Sequence, residues 1–270
     1  MDEALSATGI AQALTTRWLG REIHYFPEID STNRWLRQEA SLRPDLSPGT
    51  LAVADFQTQG RGRQARRWEA PANTCLLFSL FLRPDWSPER ANWLTMMAGL
   101  AAVDAVAAAA GLQIRLKWPN DLVIGTADGE WRKLGGILLE GVWQAGRLAQ
   151  AVLGVGLNVN VPASALPTFP IPPTSILAET NQIVDRRTLL AALLRRLEIY
   201  YEAAVAGGSP QPAWESHLIW RNQWVQIQEG DTLLAAGIFI GTDSWGRLLL
   251  RDERDHIHTI AAGDVSLRPA

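Results

Sequence analysis

Residues 60–68 read GRGRQARRW, with four arginines (Arg61, Arg63, Arg66 and Arg67) in nine positions, between strand-like apolar segments at 51–56 and 76–82. Guanidinium groups carry a fixed charge and forked donors that match carboxylate or phosphate, and Gly60 and Gly62 let the backbone curl against a ligand. A basic strand-to-strand loop can also be a solvated turn. Two familiar phosphate cradles are excluded by the letters themselves: no Lys-Ser/Thr follows for a Walker loop, and Ala65 stands at the third glycine of GxGxxG. A dinucleotide-binding doubly wound sheet is therefore disfavoured. Trp68, directly after the arginines, points to a loop that closes onto an apolar partner.

Outward from the loop, helical and strand patterns alternate without repeats. The chain predicts a short helix at 10–18, a strand at 23–26, and a helix to about residue 39 capped by Asp30, Ser31 and Thr32. An alanine-rich helix over 91–110 follows, started by Ser87 and Pro88 and stopped by Gly111. Strands are expected at 113–118, 122–124, 134–142 and 148–159, which makes the middle of the chain a large sheet. Pro162, Pro167, Pro170, Pro172 and Pro173 impose an irregular crossing, and a long helix is expected at 185–204. Beyond Trp220 short strands at 224–228, 233–240, 247–250 and 256–260 read as a small barrel. The expected division is 1–217 and 218–270.

With 270 residues and 47% hydrophobic content the chain can bury a full core. A net charge of -3 argues against a sequence-independent nucleic-acid binder, which needs a broad basic surface. Cys75 is the sole cysteine, so no intramolecular disulfide forms, and its neighbours Leu76, Leu77 and Phe78 mark it as a buried structural thiol. The acidic start MDEALSATG lacks the features of a signal peptide, and the 91–110 segment reads as a core helix rather than a membrane span. A cytosolic protein is expected.

Polar groups cluster at four further places. Ser31, Thr32 and Asn33 offer donors and acceptors, although a helix cap alone would explain a Ser or Thr there. In KWPND, Lys117 emerges from an apolar strand end and Pro119 begins a turn; the ammonium serves either a ligand or an internal salt bridge to a carboxylate such as Asp121. Gly135 and Gly136, within KLGGILLEG, mark a bulge or a close ligand approach. In GVGLNVN, Asn158 and Asn160 alternate with apolar residues and should share one strand face.

Taken in order, Ser31-Thr32-Asn33, then Gln57 with the arginine loop through Trp68, then Lys117 to Asp121, then Lys133 to Glu140, then Gly154 to Asn158, the chain resembles the biotin-protein ligase family over about residues 28–160. The resemblance implies an α/β (α+β) catalytic domain with a mixed sheet and flanking helices, related to class II aminoacyl-tRNA synthetases and lipoate ligases, plus a C-terminal SH3-like barrel. It implies that ATP with Mg2+ activates biotin as biotinyl-5′-AMP, which a lysine of a biotin carboxyl carrier protein then opens. By resemblance Ser31, Thr32 and Asn33 line the biotin pocket, with Gln57 at its edge. Gly60, Arg61, Gly62, Arg63 and Trp68 fall on the ligand loop, while Asn120, Lys133, Gly135, Gly136 and Asn158 complete the biotin and adenylate site. Arg63 and Lys117 are the expected catalytic cations, and no protein ligand for the metal is implied. Gln64 and Ala65 depart from the family pattern. Some 27 residues before the motifs are too few for the helix-turn-helix of the regulatory branch, so the short form is expected, as monomer or homodimer. Lipoate ligase, a biotin sensor without transfer activity and a nucleic-acid adaptor are the competing readings.

Overall fold

The computed structural model describes residues 5–63, 67–126, 129–167, 172–230, 232–263 and 265–269; Gln64, Ala65, Arg66 and Pro170 lie outside them. In chain order the elements are α1 (Ala7–Ala13), β1 (Ile23–Phe26), α2 (Thr32–Leu42), β2 (Leu51–Ala54), β3 (Cys75–Leu82), α3 (Ala91–Ala110), β4 (Arg115–Lys117), β5 (Asp121–Gly125), β6 (Trp131–Gln144) and β7 (Arg147–Asn158). Then come α4 (Ile176–Thr180), α5 (Arg186–Val205), α6 (Gln211–Ser216), β8 (Trp224–Glu229), β9 (Thr232–Thr242), β10 (Leu248–Arg251), β11 (Ile257–Ile260) and β12 (Ser266–Pro269).

Among the described residues, β1 to β7 form a seven-stranded sheet in the order β1-β2-β3-β7-β6-β5-β4. It is mixed: β1 and β2 are parallel, and every other neighbour is antiparallel. β3 is buried along its whole length because both faces are covered. Side-chain alternation divides them: Leu76, Phe78, Leu80 and Leu82 join the main core with α3 and α5, whereas Phe81 packs with Leu36 and Ala40 of α2. Helices thus flank the sheet on both sides. α3 is apolar all round because the sheet, α5 and α6 enclose it, and Gly111 ends it in a left-handed conformation with φ 64.

β8 to β12 make a five-stranded antiparallel sheet in the order β11-β10-β9-β8-β12. It is fastened to α3 by Trp245 stacked on Trp93 at 5.8 Å and by the Trp93 indole donating to Ser244 O at 3.0 Å. Gly246, at φ 76, is required here, since a Cβ would stand 2.0 Å from the Met96 methyl. Its carbonyl accepts from the Trp118 indole at 3.0 Å, which ties the second sheet to the KWPND turn.

Several elements differ from expectation. α1 stops at Ala13 because residues 17–19 are held in a turn by the buried Glu198 carboxylate, which accepts from the backbone N–H groups of Arg17, Trp18 and Leu19. Those bonds hold Glu198 below the usual carboxylate range although burial acts upward. Ser87 and Pro88 start a 3-10 turn, Pro88–Arg90, that feeds α3, and Ser87 makes no side-chain cap bond. The proline-rich crossing holds a 3-10 turn, Ala163–Ala165, and is followed by the short α4, and β12 is a fifth strand that the sequence pattern did not disclose.

Candidate functional site

Strand register assembles the floor of a cavity of about 540 Å3. Directly opposed residues of an antiparallel pair share a face. The pairings Leu77↔Gly156, Gly156↔Gly136, Gly136↔Asp121 and Asp121↔Lys117 therefore run one row across five strands, from β3 to β4. A parallel row holds Ser79, Gly154 and Leu138, and the next holds Phe81, Val152 and Glu140. Glycines at the row centres keep the floor low, so that other groups can lie on the sheet. The Trp68 ring occupies part of that space, since a Cβ on Gly156 would stand 2.9 Å from its Cε2. Trp68 also packs against the cluster of Cys75, Leu77 and Val161, the apolar partner the loop demanded.

Charge collects where this row ends. Lys117 is 5% exposed, and its ammonium lies 3.2 Å from Asp121 Oδ2, while Lys133 donates to Asp121 Oδ1 at 2.5 Å. Two ammonium groups share one carboxylate, so the cluster keeps a surplus positive charge toward the cavity. Burial pushes Lys117 below the ordinary lysine range, against the Asp121 charge and with the help of Lys133. For Asp121 burial acts upward, but the charges and hydrogen bonds of Lys133 and Lys117 outweigh it and hold the carboxyl at about 2. The internal salt bridge to Asp121 is present, and Lys117 also borders the cavity.

The arginine loop forms another wall. Arg63 donates to Asn120 Oδ1 at 3.0 Å and to the backbone oxygens of Gly263 and Val265 just before β12. Arg61 pairs with Glu140 at 3.2 Å. Arg67 and Arg268 of β12 also border the cavity.

The opposite end is polar and uncharged. Ser31 caps α2 by accepting from Arg34 N, and this places Thr32 and Asn33 in the first turn. Gln57 Oε1 accepts from the Thr32 N–H at 2.8 Å and from its hydroxyl at 3.0 Å. Ser79 lies 2.7 Å from the Thr32 hydroxyl and donates to Asn33 Oδ1 at 2.5 Å. Capping and cavity lining are therefore compatible uses of the same three residues.

Of the residues singled out from sequence, Ser31, Thr32, Asn33, Gln57, Arg61, Gly62, Arg63, Trp68, Lys117, Asn120, Lys133, Gly136 and Asn158 border the cavity. Gly60 and Gly135 do not. Gly60 lets the loop ends meet: its carbonyl accepts from Trp68 N at 2.9 Å, and a Cβ would stand 2.6 Å from Trp68 O. Gly135 pairs with Leu157 and Leu122, one position out of step with Gly136, and faces the core. The expected bulge is present beside it, as a register shift between Leu122 and Val123. Asn160 does not share a face with Asn158; β7 ends at Asn158, and the Asn160 amide instead exchanges hydrogen bonds with the backbone of Val184.

Sequence reasoning missed Ser79, Glu140 as a side chain with partners, and the contribution of Ser266 and Arg268 to the cavity. Ser79 had a signal, as the only polar letter in the CLLFSLFL strand.

The chain matches the model of the biotin/lipoate A/B protein ligase family over residues 25–158. It is 34% identical over 259 residues to a biotin--[acetyl-CoA-carboxylase] ligase of Mycobacterium tuberculosis, covering 91% of this chain and 88% of that protein. It is 33% identical over 256 residues to the bifunctional ligase/repressor BirA of Escherichia coli, covering 93% of this chain and 75% of that one. Among solved structures, the biotin protein ligase from Aquifex aeolicus in complex with biotin and ATP superposes with a TM-score of 0.76 at 26% identity, over 93% of this chain and 100% of that chain.

Proposed function

Since the chain belongs to the biotin/lipoate A/B protein ligase family, we propose that it is an ATP-dependent, cytosolic biotin-protein ligase whose reactions occur in the cavity above the Leu77-to-Lys117 row. The observation that carries this reading is a single cavity with a neutral hydrogen-bonding end at Thr32, Gln57 and Ser79 and a cationic end at Lys117, Lys133, Arg63 and Arg268. Such a site fits a ligand with a polar neutral head and an anionic tail beside a nucleotide.

In the first half-reaction the biotin carboxylate attacks the α-phosphorus of ATP and pyrophosphate leaves, giving biotinyl-5′-AMP. Two anions must approach, and fixed cations in a partly dry site lower their repulsion. Lys117 is assigned to the junction of carboxylate and phosphate, and Arg63 to the phosphate side. Both substrates held in line make the step effectively unimolecular, so no protein nucleophile is needed. In the second half-reaction a carrier lysine amine attacks the acyl carbon and AMP leaves. Mg2+ would arrive as MgATP: of the two carboxylates that border the cavity, Asp121 has both oxygens engaged by ammonium groups and Glu69 lies beside Arg67, so they do not make a metal cage, and phosphate oxygens and water would supply the coordination. The acceptor in this reading is the carboxyl carrier domain of a biotin-dependent carboxylase.

Pyrophosphate release with biotin and MgATP, followed by biotin attached to the lysine of a purified carrier domain, is the expected outcome. Release with lipoate but not biotin would transfer the assignment to the lipoate branch, and tight biotin binding without pyrophosphate would make the protein a sensor.

A further inference from the structure

Glu140 sits on β6 with its side chain 17% exposed, and three groups from elsewhere converge on it. Arg37 of α2 reaches Oε1 at 2.8 Å, Arg61 of the loop reaches the same atom at 3.2 Å, and the Asn33 amide donates to Oε2 at 3.0 Å. A carboxylate only accepts hydrogen bonds, so the nitrogen of the Asn33 carboxamide must face Glu140 and its oxygen must face away. That oxygen meets Ser79, which spends its single proton on it at 2.5 Å. Ser79 can then only accept from its other neighbours, so the Thr32 hydroxyl, 2.7 Å from Ser79 Oγ and 3.0 Å from Gln57 Oε1, shares its one proton between those two acceptors and can only accept from a ligand. Gly154 makes the arrangement sterically feasible, because a Cβ there would stand 2.2 Å from Asn33 Oδ1.

The geometry points to Glu140 as a positioning residue for substrate specificity: through Asn33 and Ser79 it fixes which hydroxyls at the neutral end of the cavity donate and which accept. This rests on the reading that the neutral end receives the ureido head of biotin. That head carries one carbonyl acceptor between two N–H donors, so a wall of fixed polarity discriminates it from a head with the opposite pattern. The charge of Glu140 acts indirectly, since Asn33 and Ser79 lie between it and the Thr32 hydroxyl.

Glu140→Gln keeps the shape but can present its amide to Asn33, which lets Asn33 flip and Ser79 reverse. The expected result is a KM for biotin raised about tenfold, as for one mismatched buried hydrogen bond, with the KM for ATP and kcat each changed less than about threefold. Glu140→Asp, which still only accepts, should restore most of the biotin KM and serves if Glu140→Gln folds poorly. Arg37→Gln removes an ion pair with Glu140 outside the cavity and should leave the biotin KM unchanged. A biotin KM unaffected by Glu140→Gln, or an equal rise in Arg37→Gln, would overturn the assignment. The Asn33 side-chain amide resonances, read without ligand, should shift in Glu140→Gln and not in Arg37→Gln; this readout stands even if the wild-type protein releases no pyrophosphate, an outcome that would instead defeat the proposed function.

Discussion

Asp121→Asn should uncouple the cationic end of the cavity. Asp121 is the shared counterion of Lys117 at 3.2 Å and Lys133 at 2.5 Å. At 3.2 Å and an effective dielectric of about 20, the attraction to Lys117 is about 5 kcal/mol before burial costs are subtracted. The net value is smaller: the two ammonium groups hold the Asp121 carboxyl at about 2, below its reference of 3.8, against the upward push of burial, which corresponds to a few kcal/mol. Losing the charge while both ammonium groups remain should therefore cost about 3 kcal/mol in urea unfolding at pH 7, within the range for breaking a buried pair. The wild-type contribution is fully present above pH 3.8 and fades as pH falls toward about 2, so the deficit of the variant should shrink across that window. Activity should respond at the other end of the scale. Burial already lowers Lys117, and Asp121 opposes that shift, so its removal lowers Lys117 further and the ammonium is lost at a lower pH. In a pH profile of kcat/KM for pyrophosphate release, the alkaline limb should move to lower pH. An unmoved limb together with unchanged stability would refute the electrostatic reasoning.

Gly154→Ala should displace Asn33, whose Oδ1 lies 2.2 Å from the added Cβ, and weaken biotin binding by at least about tenfold in calorimetry, with an overpacking cost of about 1–3 kcal/mol; wild-type affinity would show that the neutral end does not involve Asn33. Arg63→Gly should speed the escape of biotinyl-AMP, because it removes a cation held 3.0 Å from Asn120 at the cavity wall; unchanged dissociation in a chase experiment would remove Arg63 from the adenylate site. Arg186→Met should cost about 3–5 kcal/mol in urea unfolding, since it strands Asp55, to which Arg186 Nη1 donates at 2.7 Å in a setting 2% exposed; a change below about 1 kcal/mol would mean that Asp55 finds another partner or becomes neutral.

The sequence disclosed elements whose signals are local. The apolar run of β3, the alanine-rich and mostly apolar α3 closed by Gly111, and the capped start of α2 each follow from neighbouring letters. The site was legible in part because its residues sit at strand ends, turns and glycines, where chemistry departs from packing needs. What stayed hidden depends on register. Only the pairing of five strands reveals that Gly136, Asp121 and Lys117 share a row while Gly135 faces the core. Other hidden contacts join residues far apart in the chain, such as Asp55 with Arg186 and Tyr25, or Glu140 with Asn33. β12 escaped notice because four residues containing Arg268 and Pro269 carry no alternation strong enough to read, yet it brings Ser266 and Arg268 to the cavity. Charge composition directed attention to the arginine loop, whose Arg61, Arg63 and Arg67 border the cavity, but could not tell that Arg61 is paired with Glu140 rather than open to solvent on all sides.

The most direct measurement is a crystal structure of the protein bound to biotin and a non-hydrolysable MgATP analogue. The biotin carboxylate should lie within hydrogen-bond reach of Lys117 Nζ, with the ureido head against Thr32 and Gln57. Biotin bound elsewhere, or reversed so that its carboxylate meets Thr32, would contradict the account.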